Sequence, residues 1–412
     1  MRGEASPGVT QAPGTRLAGI TRPIVVLGIV SFLADLSGEM VYPVIPLFVT
    51  GTLGAPALAL GIVEGVAEGT ANLTKMASGR WSDRSGQRRP FVVGGYSLAT
   101  LGKALLAVAA AWPMALAGRA LDRFGKGLRT APRDAMLADF AQPAHVGRVF
   151  GFHRTLDTLG AVGGPLLALA LLALLDDRLR LVIAIAVVPG VLSVVALRWL
   201  PRDAPAVPST KTGGWRFGDL PGRFYLLLAV TVLFMFGNSS DAFLILRAED
   251  LGLTTTMVVL AYVAFNTVYA ALSLPAGIIS DRVPRAWVMV VGWSAFAAVY
   301  SGFAFAGGEA VWPLFIVYGA YMGMTDGVSK ALVVDLAPGP LRTSALGLFQ
   351  GVAGLAALSS SVLAGLLWDQ VGPQAPFVLG AVCAGAAAVG LTVLTLGGAT
   401  RPPSPAGALA GG

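Results

Sequence analysis

Charged side chains at helical spacing, set in otherwise apolar stretches, are the residues of this chain that could do chemistry. Asp35 and Glu39 are four residues apart on one stretch, and on another Arg119, Asp122 and Arg123 share a broad helical face. Each charge at the centre of a membrane span costs about 2.5–3.5 kcal/mol on insertion scales. Such side chains must therefore face a protein interior or a watery cavity, where they could bind a polar molecule or carry a proton.

Similar residues lie on further apolar stretches of both halves of the chain. The full set of candidate substrate- or proton-pathway residues is Asp35, Glu39, Glu64, Glu68, Arg119, Asp122, Arg123, Lys126, Arg154, Asp157, Asn238, Asp241, Asp326 and Lys330. An unpaired carboxylate in a low-dielectric cavity has a raised pKa and can take up a proton near neutral pH. The alternative is that these charges only neutralise one another in internal salt bridges.

The composition indicates that lipid is the solvent for most of the surface. Of the 412 residues, 55% are hydrophobic and 12% are charged, with a mean hydropathy of +0.73, whereas a soluble domain carries about 25% charged residues. The single cysteine, Cys383, lies in an apolar run and excludes a disulfide framework. No Ser-His-Asp grouping or metal-ligand cluster stands out. We therefore expect a membrane protein that is not an enzyme and that uses no metal or other cofactor.

The apolar stretches predict twelve membrane-spanning helices, because each is close to the 20 or so residues that a span needs. They are 24–49, 57–78, 91–111, 113–138, 148–174, 180–199, 224–246, 256–278, 286–306, 311–334, 343–367 and 376–397. The prediction is an all-α membrane protein with twelve transmembrane helices in two pseudo-symmetric six-helix bundles. Its parts are a cytoplasmic tail (1–23), the first bundle (24–199), a cytoplasmic linker (200–223), the second bundle (224–397) and a disordered tail (398–412).

The distribution of lysine and arginine predicts the orientation. With the N-terminus inside, the cytoplasmic segments hold seventeen of these residues and the outer loops hold three. Both termini and the linker are therefore expected on the cytoplasmic side of a bacterial inner membrane. The net charge of +7 is explained by this topology, so we expect the lipid bilayer and not a nucleic acid as the partner.

A short charged segment, Gly79–Pro90 (GRWSDRSGQRRP), separates two apolar stretches, and a shorter copy, Gly277–Arg285 (GIISDRVPR), occupies the corresponding place in the second half. The repeat extends further, since 137–152 aligns with 333–348 and pairs Asp139 with Asp335. Both segments are predicted to be loops at the cytoplasmic side. The residues proposed for a cytoplasmic gate are Gly79, Asp83, Arg84, Gly86, Arg88, Asp139, Asp281 and Arg282.

These repeated segments resemble the loop between the second and third helices in the major facilitator superfamily. Gly160-x-x-x-Gly164-Pro165 resembles the first half of the fifth-helix motif of its proton-driven exporters. Arg119 matches the arginine of the fourth-helix Arg-x-x-Gln-Gly motif, which is linked to proton handling, while Asp122 and Arg123 replace the Gln and Gly. The motif content is most similar to the bacterial twelve-helix drug:proton antiporter-like exporters, in an uncharacterised branch.

This resemblance implies a transporter that works by alternating access. Asp83 would cap a helix of the other half, and Arg84 and Arg88 would pair with Asp139 to close the cytoplasmic side. The implied function is proton-coupled efflux of a small polar or charged molecule or drug by a monomer, driven by the proton gradient. Uptake of an organic anion or sugar by proton symport is the main alternative, and a non-transporting membrane sensor or lipid-handling protein is a third.

Overall fold

The computed structural model describes residues 20–141, 146–201, 220–337 and 342–400, and this part contains helices and no strands. The long helices are α1 (Arg22–Val41), α2 (Ala57–Ser85), α3 (Arg89–Ala107), α4 (Trp112–Phe140), α5 (Val146–Leu174), α6 (Leu179–Ala196), α7a (Gly222–Gly237), α7b (Ala242–Asp250), α8 (Thr255–Arg282), α9 (Arg285–Phe305), α10 (Val311–Leu336), α11 (Arg342–Gln370) and α12 (Ala375–Leu396). Short helical turns cover Tyr42–Val44, Ile45–Leu47, Phe48–Thr52, Leu197–Trp199 and Gly308–Ala310. Most of the predicted tails and linker (1–19, 202–219 and 401–412) lies outside the described residues.

The predicted all-α fold with twelve spans is confirmed. Nine of the twelve helices in the described ranges are long and apolar enough to cross a membrane. The other three are α2, α4 and α10, and they carry many of the charged residues singled out in the sequence, such as Glu64, Arg119 and Asp326. Their lower hydropathy follows from lining the interior of the protein, where polar side chains avoid lipid.

The helices pair in the same way in the two halves. In the first half α2 packs on α4, α3 packs on α4 and α6, and α1 packs on α6. In the second half α8 packs on α10, α9 packs on α10 and α12, and α7a packs on α12. Each pair in the second half corresponds to a pair in the first half whose helix numbers are lower by six, as two pseudo-symmetric bundles require.

The seventh span differs from the sequence prediction because it is broken. A single helix was predicted over 224–246, but α7a ends at Gly237 and α7b begins at Ala242. The residues between them are Asn238, Ser239, Ser240 and Asp241, whose short polar side chains compete with the helix for backbone hydrogen bonds. Non-helical backbone at this depth is tolerated only inside the protein or beside a cavity.

The predicted loop over 79–90 is also wrong in extent. α2 continues to Ser85 and α3 begins at Arg89, so only three residues connect them. Gly86 ends α2 in the left-handed conformation, with φ of 66°, which glycine adopts without steric cost. Its copy in the second half is shorter, because only Val283 and Pro284 separate α8 from α9. The charged residues therefore lie mostly on the last helical turns.

In the described part of the chain, the α2 and α11 backbones of the two bundles come closest at one end. The linker end holds the connections α2–α3 and α8–α9, and the opposite end holds the starts of α2 and α8. At the opposite end, a Cβ added to Gly61 of α2 would lie 2.2 Å from the carbonyl oxygen of Ser361 of α11. Nearer the linker end, a Cβ added to Gly351 of α11 would lie 3.6 Å from the Met76 sulfur, and a Cβ added to Gly347 would have no neighbour within 4 Å. The molecule is thus closed at the opposite end and open at the linker end.

Candidate functional site

A buried ion network occupies the centre of the first bundle. The Nε and a terminal nitrogen of Arg119 donate to the two carboxylate oxygens of Glu64 at 2.9 and 3.2 Å. Arg119 also lies 3.5 Å from Asp122, which accepts from Lys103 Nζ at 2.8 Å. Arg119 is 2% exposed and Glu64 is 1% exposed. These four side chains from α2, α3 and α4 form a neutral set, and Lys103 had not been among the candidate residues.

A second ion pair lies beside this network. Arg123 is 3.7 Å from Glu68, whose side chain is 38% exposed. The ring of Tyr42 lies against both guanidinium groups, with centroid distances of 5.2 Å to Arg119 and 5.7 Å to Arg123. Tyr42 sits where α1 loses its regular geometry before Pro43. This cation–π contact could not be predicted from the sequence, because it depends on the distance between Tyr42 and α4.

Two carboxylates of the site are held by phenols instead of cations. Glu39 accepts from the Tyr262 hydroxyl at 3.1 Å, and Asp241 accepts from the Tyr318 hydroxyl at 2.6 Å. Among the described residues, neither carboxylate has a cationic nitrogen within 4.0 Å. Glu39 lies on α1 and Tyr262 on α8, so this hydrogen bond crosses between the bundles.

The break in α7 brings the second bundle to the ion network. Ser240 Oγ lies 3.5 Å from a carboxylate oxygen of Glu64, and the Ser240 backbone N–H donates to Ser361 Oγ at 3.2 Å. Asn238 and Asp241 flank this serine in the same unwound segment. Unwound backbone at the interface of two repeats is a common form of transporter binding site.

A second layer of charges lies nearer the linker end. Asp157 accepts from Ser31 at 2.6 Å and lies 3.8 Å from Arg133 and 3.7 Å from Arg154. Asp35 lies 3.7 Å from Arg129, which stacks over the ring of Tyr96 at 3.9 Å. Arg129 and Arg133 are thus partners of the pathway residues Asp35 and Asp157.

An open cavity of about 490 Å³ lies between the bundles on the linker side of these layers. Arg154, with a side chain 72% exposed, lines it from α5, and Tyr269 and Asp326 line it from α8 and α10. Asp326 accepts from Lys330 at 2.8 Å and from Tyr269 at 3.0 Å. Lys126 is exposed. Arg154 and Asp326 of the predicted set are therefore reachable from the linker end.

The predicted gate residues are only partly described. Arg88 contacts Asp139, as expected, and the corresponding pair in the second half is Arg285 with Asp335. Gly79 is helical with Ala131 3.5 Å from an added Cβ, and Arg282 is exposed. The side chains of Asp83, Arg84 and Asp281 lie outside the described part, so the expected cap by Asp83 stays a prediction. Each described ion pair joins residues of one bundle.

Comparisons with known proteins agree with this architecture. The model of the Major Facilitator Superfamily matches residues 27–246 and again residues 225–411. An uncharacterized MFS-type transporter of Methanocaldococcus jannaschii is 35% identical over 374 residues, covering 89% of this chain and 93% of the relative. The multidrug resistance protein MdtH of Aeromonas hydrophila is 31% identical over 141 residues, covering 34% of this chain and 35% of the relative.

Among solved structures, the fold is similar to that of the nucleoside transporter NupG, crystallised as a mutant. The TM-score is 0.78 at 14% identity, and the alignment covers 90% of this chain and 100% of NupG. At this identity the likeness concerns the fold alone.

Proposed function

The chain belongs to the Major Facilitator Superfamily, and from this premise we propose that it is a secondary active transporter that exports a small polar or charged molecule or drug in exchange for protons. The proposed setting is a bacterial cytoplasmic membrane, with a monomer whose two termini are cytoplasmic. The proton gradient is the proposed energy source, and no cofactor takes part.

One observation carries this proposal: polar and charged side chains of both bundles meet in a central layer that has lipid-facing helices around it. Glu64 reaches Ser240, and Glu39 reaches Tyr262, across the boundary between the bundles. Two bundles that share a buried polar layer, closed at one end and open at the other, suit a mechanism that exposes that layer to each side in turn.

The phenol-bound carboxylates support a role for protons. Glu39 and Asp241 accept from tyrosine hydroxyls and have no cationic nitrogen within 4.0 Å in the described part of the chain, unlike Glu64 and Asp122. A carboxylate of this kind can be neutral in one conformation and ionised in another. Protonation would then change the charge of the central layer during the transport cycle.

The mixed charges support a polar substrate over a purely lipophilic one. Arg119, Arg123 and Lys103 lie in the same layer as Glu64 and Asp122, and polar interiors bind ligands that can exchange hydrogen bonds with them. The partial likeness to MdtH supports export. Symport of an organic anion is the second candidate, which the exposed Arg154 at the open end favours because it would attract an anion.

Transport by the purified protein in proteoliposomes tests the proposal. A pH gradient is imposed, proton movement is followed with an internal dye, and cationic, zwitterionic, anionic and sugar compounds are offered in turn. We expect proton movement opposite to that of at least one polar compound. Asp241→Asn should lower the coupled proton flux at least ten-fold, whereas Glu309→Gln, an exposed acid in the α9–α10 connection, should leave it unchanged.

Other outcomes separate the alternatives. Protons moving in the same direction as an anion or sugar would favour symport. Binding of a compound without flux of either species would contradict transport and favour a sensor.

A further inference from the structure

We infer that Asp369 is a positioning residue for transport, a latch that holds the opposite end of the molecule closed by capping a helix of the other bundle. Asp369 lies in the last turn of α11, in the second bundle. Its two carboxylate oxygens accept from the backbone N–H groups of Ala57 at 3.0 Å and Leu58 at 2.8 Å, the first residues of α2 in the first bundle. The inference rests on the proposed function, since a latch matters only if the two ends open in turn.

The start of α2 needs this carboxylate because it has no cap of its own. The first N–H groups of a helix have no partner within the helix. Pro56 occupies the N-cap position of α2 and has no side-chain oxygen that could accept from them. Asp369 supplies the missing acceptor, and its negative charge also suits the positive end of the α2 dipole.

The position of Asp369 in its own helix agrees with a role across the interface. An acidic residue in the last turn of a helix is unfavourable, because the C-terminal end of the helix dipole is negative. Asp369 is thus poorly placed for α11 and well placed for α2. A charge-assisted pair of hydrogen bonds to two N–H groups compensates for this placement.

The pseudo-symmetric helix provides a comparison within the same molecule. α8 corresponds to α2, and its N-cap Thr254 accepts from the backbone N–H of Met257 at 3.3 Å. That cap is local and survives any movement of the bundles. The cap of α2 comes from the other bundle, so the separation of α2 from α11 at this end must break it. The close approach of Gly365 to Leu58, with an added Cβ 2.6 Å from the Leu58 Cα, lies directly beside this cap.

The latch therefore favours the conformation seen here, open at the linker end. Losing an N-cap changes a helix equilibrium by a factor of about five. Asp369→Ala should then lower the population ratio of the linker-open to the opposite-open state by about five-fold. Asp369→Glu keeps the charge and should retain most of the effect.

Distances between spin labels in the full-length protein test the latch directly. In a Cys383→Ala background, Ala110→Cys with Gly307→Cys reports on the opposite end, and Gln87→Cys with Val283→Cys reports on the linker end. Asp369→Ala should lengthen the first distance and shorten the second in a larger fraction of molecules. Glu249→Gln, near the same end without a cross-bundle bond among the described contacts, is the matched control.

Hydrogen exchange of the peptide that contains Ala57 and Leu58 gives a second measurement, and Asp369→Ala should speed it. Faster hydrogen exchange in Asp369→Ala with unchanged label distances would overturn the latch. Unchanged hydrogen exchange in this variant would overturn it as well. If the label distances in the wild-type protein stay the same under every gradient and with every compound, alternating access itself is contradicted. This result distinguishes a failure of the proposed function from a failure of the latch.

Discussion

The ion network of the first bundle depends on Arg119. Its guanidinium group contacts two carboxylates, Glu64 and Asp122, in a region closed to solvent. A planar guanidinium can donate to both oxygens of Glu64 at once, which a lysine cannot do. Removal of this one side chain would leave two buried carboxylates with a single remaining cation, Lys103.

Arg119→Ala should therefore lower the free energy of unfolding by about 3–5 kcal/mol, the cost of leaving a buried charge without its partner. Unfolding in detergent, followed by heat or by denaturant, measures this. Arg154→Ala is the matched control, because the Arg154 side chain is largely exposed and its contact with Asp157 is 3.7 Å, and we expect no measurable loss. Equal stability of the two variants would contradict the network.

At the scale of the elements, the contact between α2 and α11 depends on glycine. Gly61 and Gly65 lie against the backbone of Ser361 and Leu358, so that the two helices touch without intervening side chains. Toward the linker end the contact passes to the Asn72 and Met76 side chains, and a Cβ added to Gly347 has no neighbour within 4 Å among the described residues. Along this helix pair the approach is therefore close at the opposite end and wider toward the linker end.

Gly61→Ala should separate these helices and lower the free energy of unfolding by about 1–3 kcal/mol, because an overpacked contact forces the backbone to shift. Gly94→Ala on α3 is the matched control, since an added Cβ at Gly94 has no neighbour within 4 Å. That change should be neutral or stabilising, as alanine has the higher helix propensity. Thermal unfolding of both variants in detergent measures the difference, and a harmless Gly61→Ala would refute the close contact.

At the scale of the whole molecule, transport requires a balance between contacts at the two ends. Asp369 bonds to α2 at the opposite end, while Asp83 is predicted to cap a helix of the second bundle at the linker end. The two residues lie on the same helix pair, one on α11 and the other on α2. Each would stabilise the state in which its own end is closed, and neither bond can form while its end is open.

Asp83→Asn should leave the protein folded and abolish transport, because the linker end could no longer close. Proteoliposome transport and thermal unfolding in detergent measure the two effects. Gln87→Ala, exposed in the same connection, should transport normally. Full transport by Asp83→Asn would refute the linker-end clamp.

The sequence alone was sufficient for the fold. Long apolar stretches have few alternatives to membrane-spanning helices, and the repeated Asp-Arg segments identified the two halves before any contact was known. The burial of charges such as Glu64 and Arg119 was also predictable, because a charge in an apolar helix must face the interior, while their role in transport stays a prediction. What each charge would meet was not predictable from its position in the chain.

The tertiary structure decided the partners. Lys103 with Asp122, Tyr262 with Glu39 and Ser240 with Glu64 join residues from different helices, and their sequence separations carry no signal. The structure also showed that α7 is broken and that Asp369 caps α2. The physical reason is that hydropathy is a sum over neighbouring residues and can be calculated from the sequence. Ion pairing and capping depend instead on distances of a few ångströms between segments that only folding brings together.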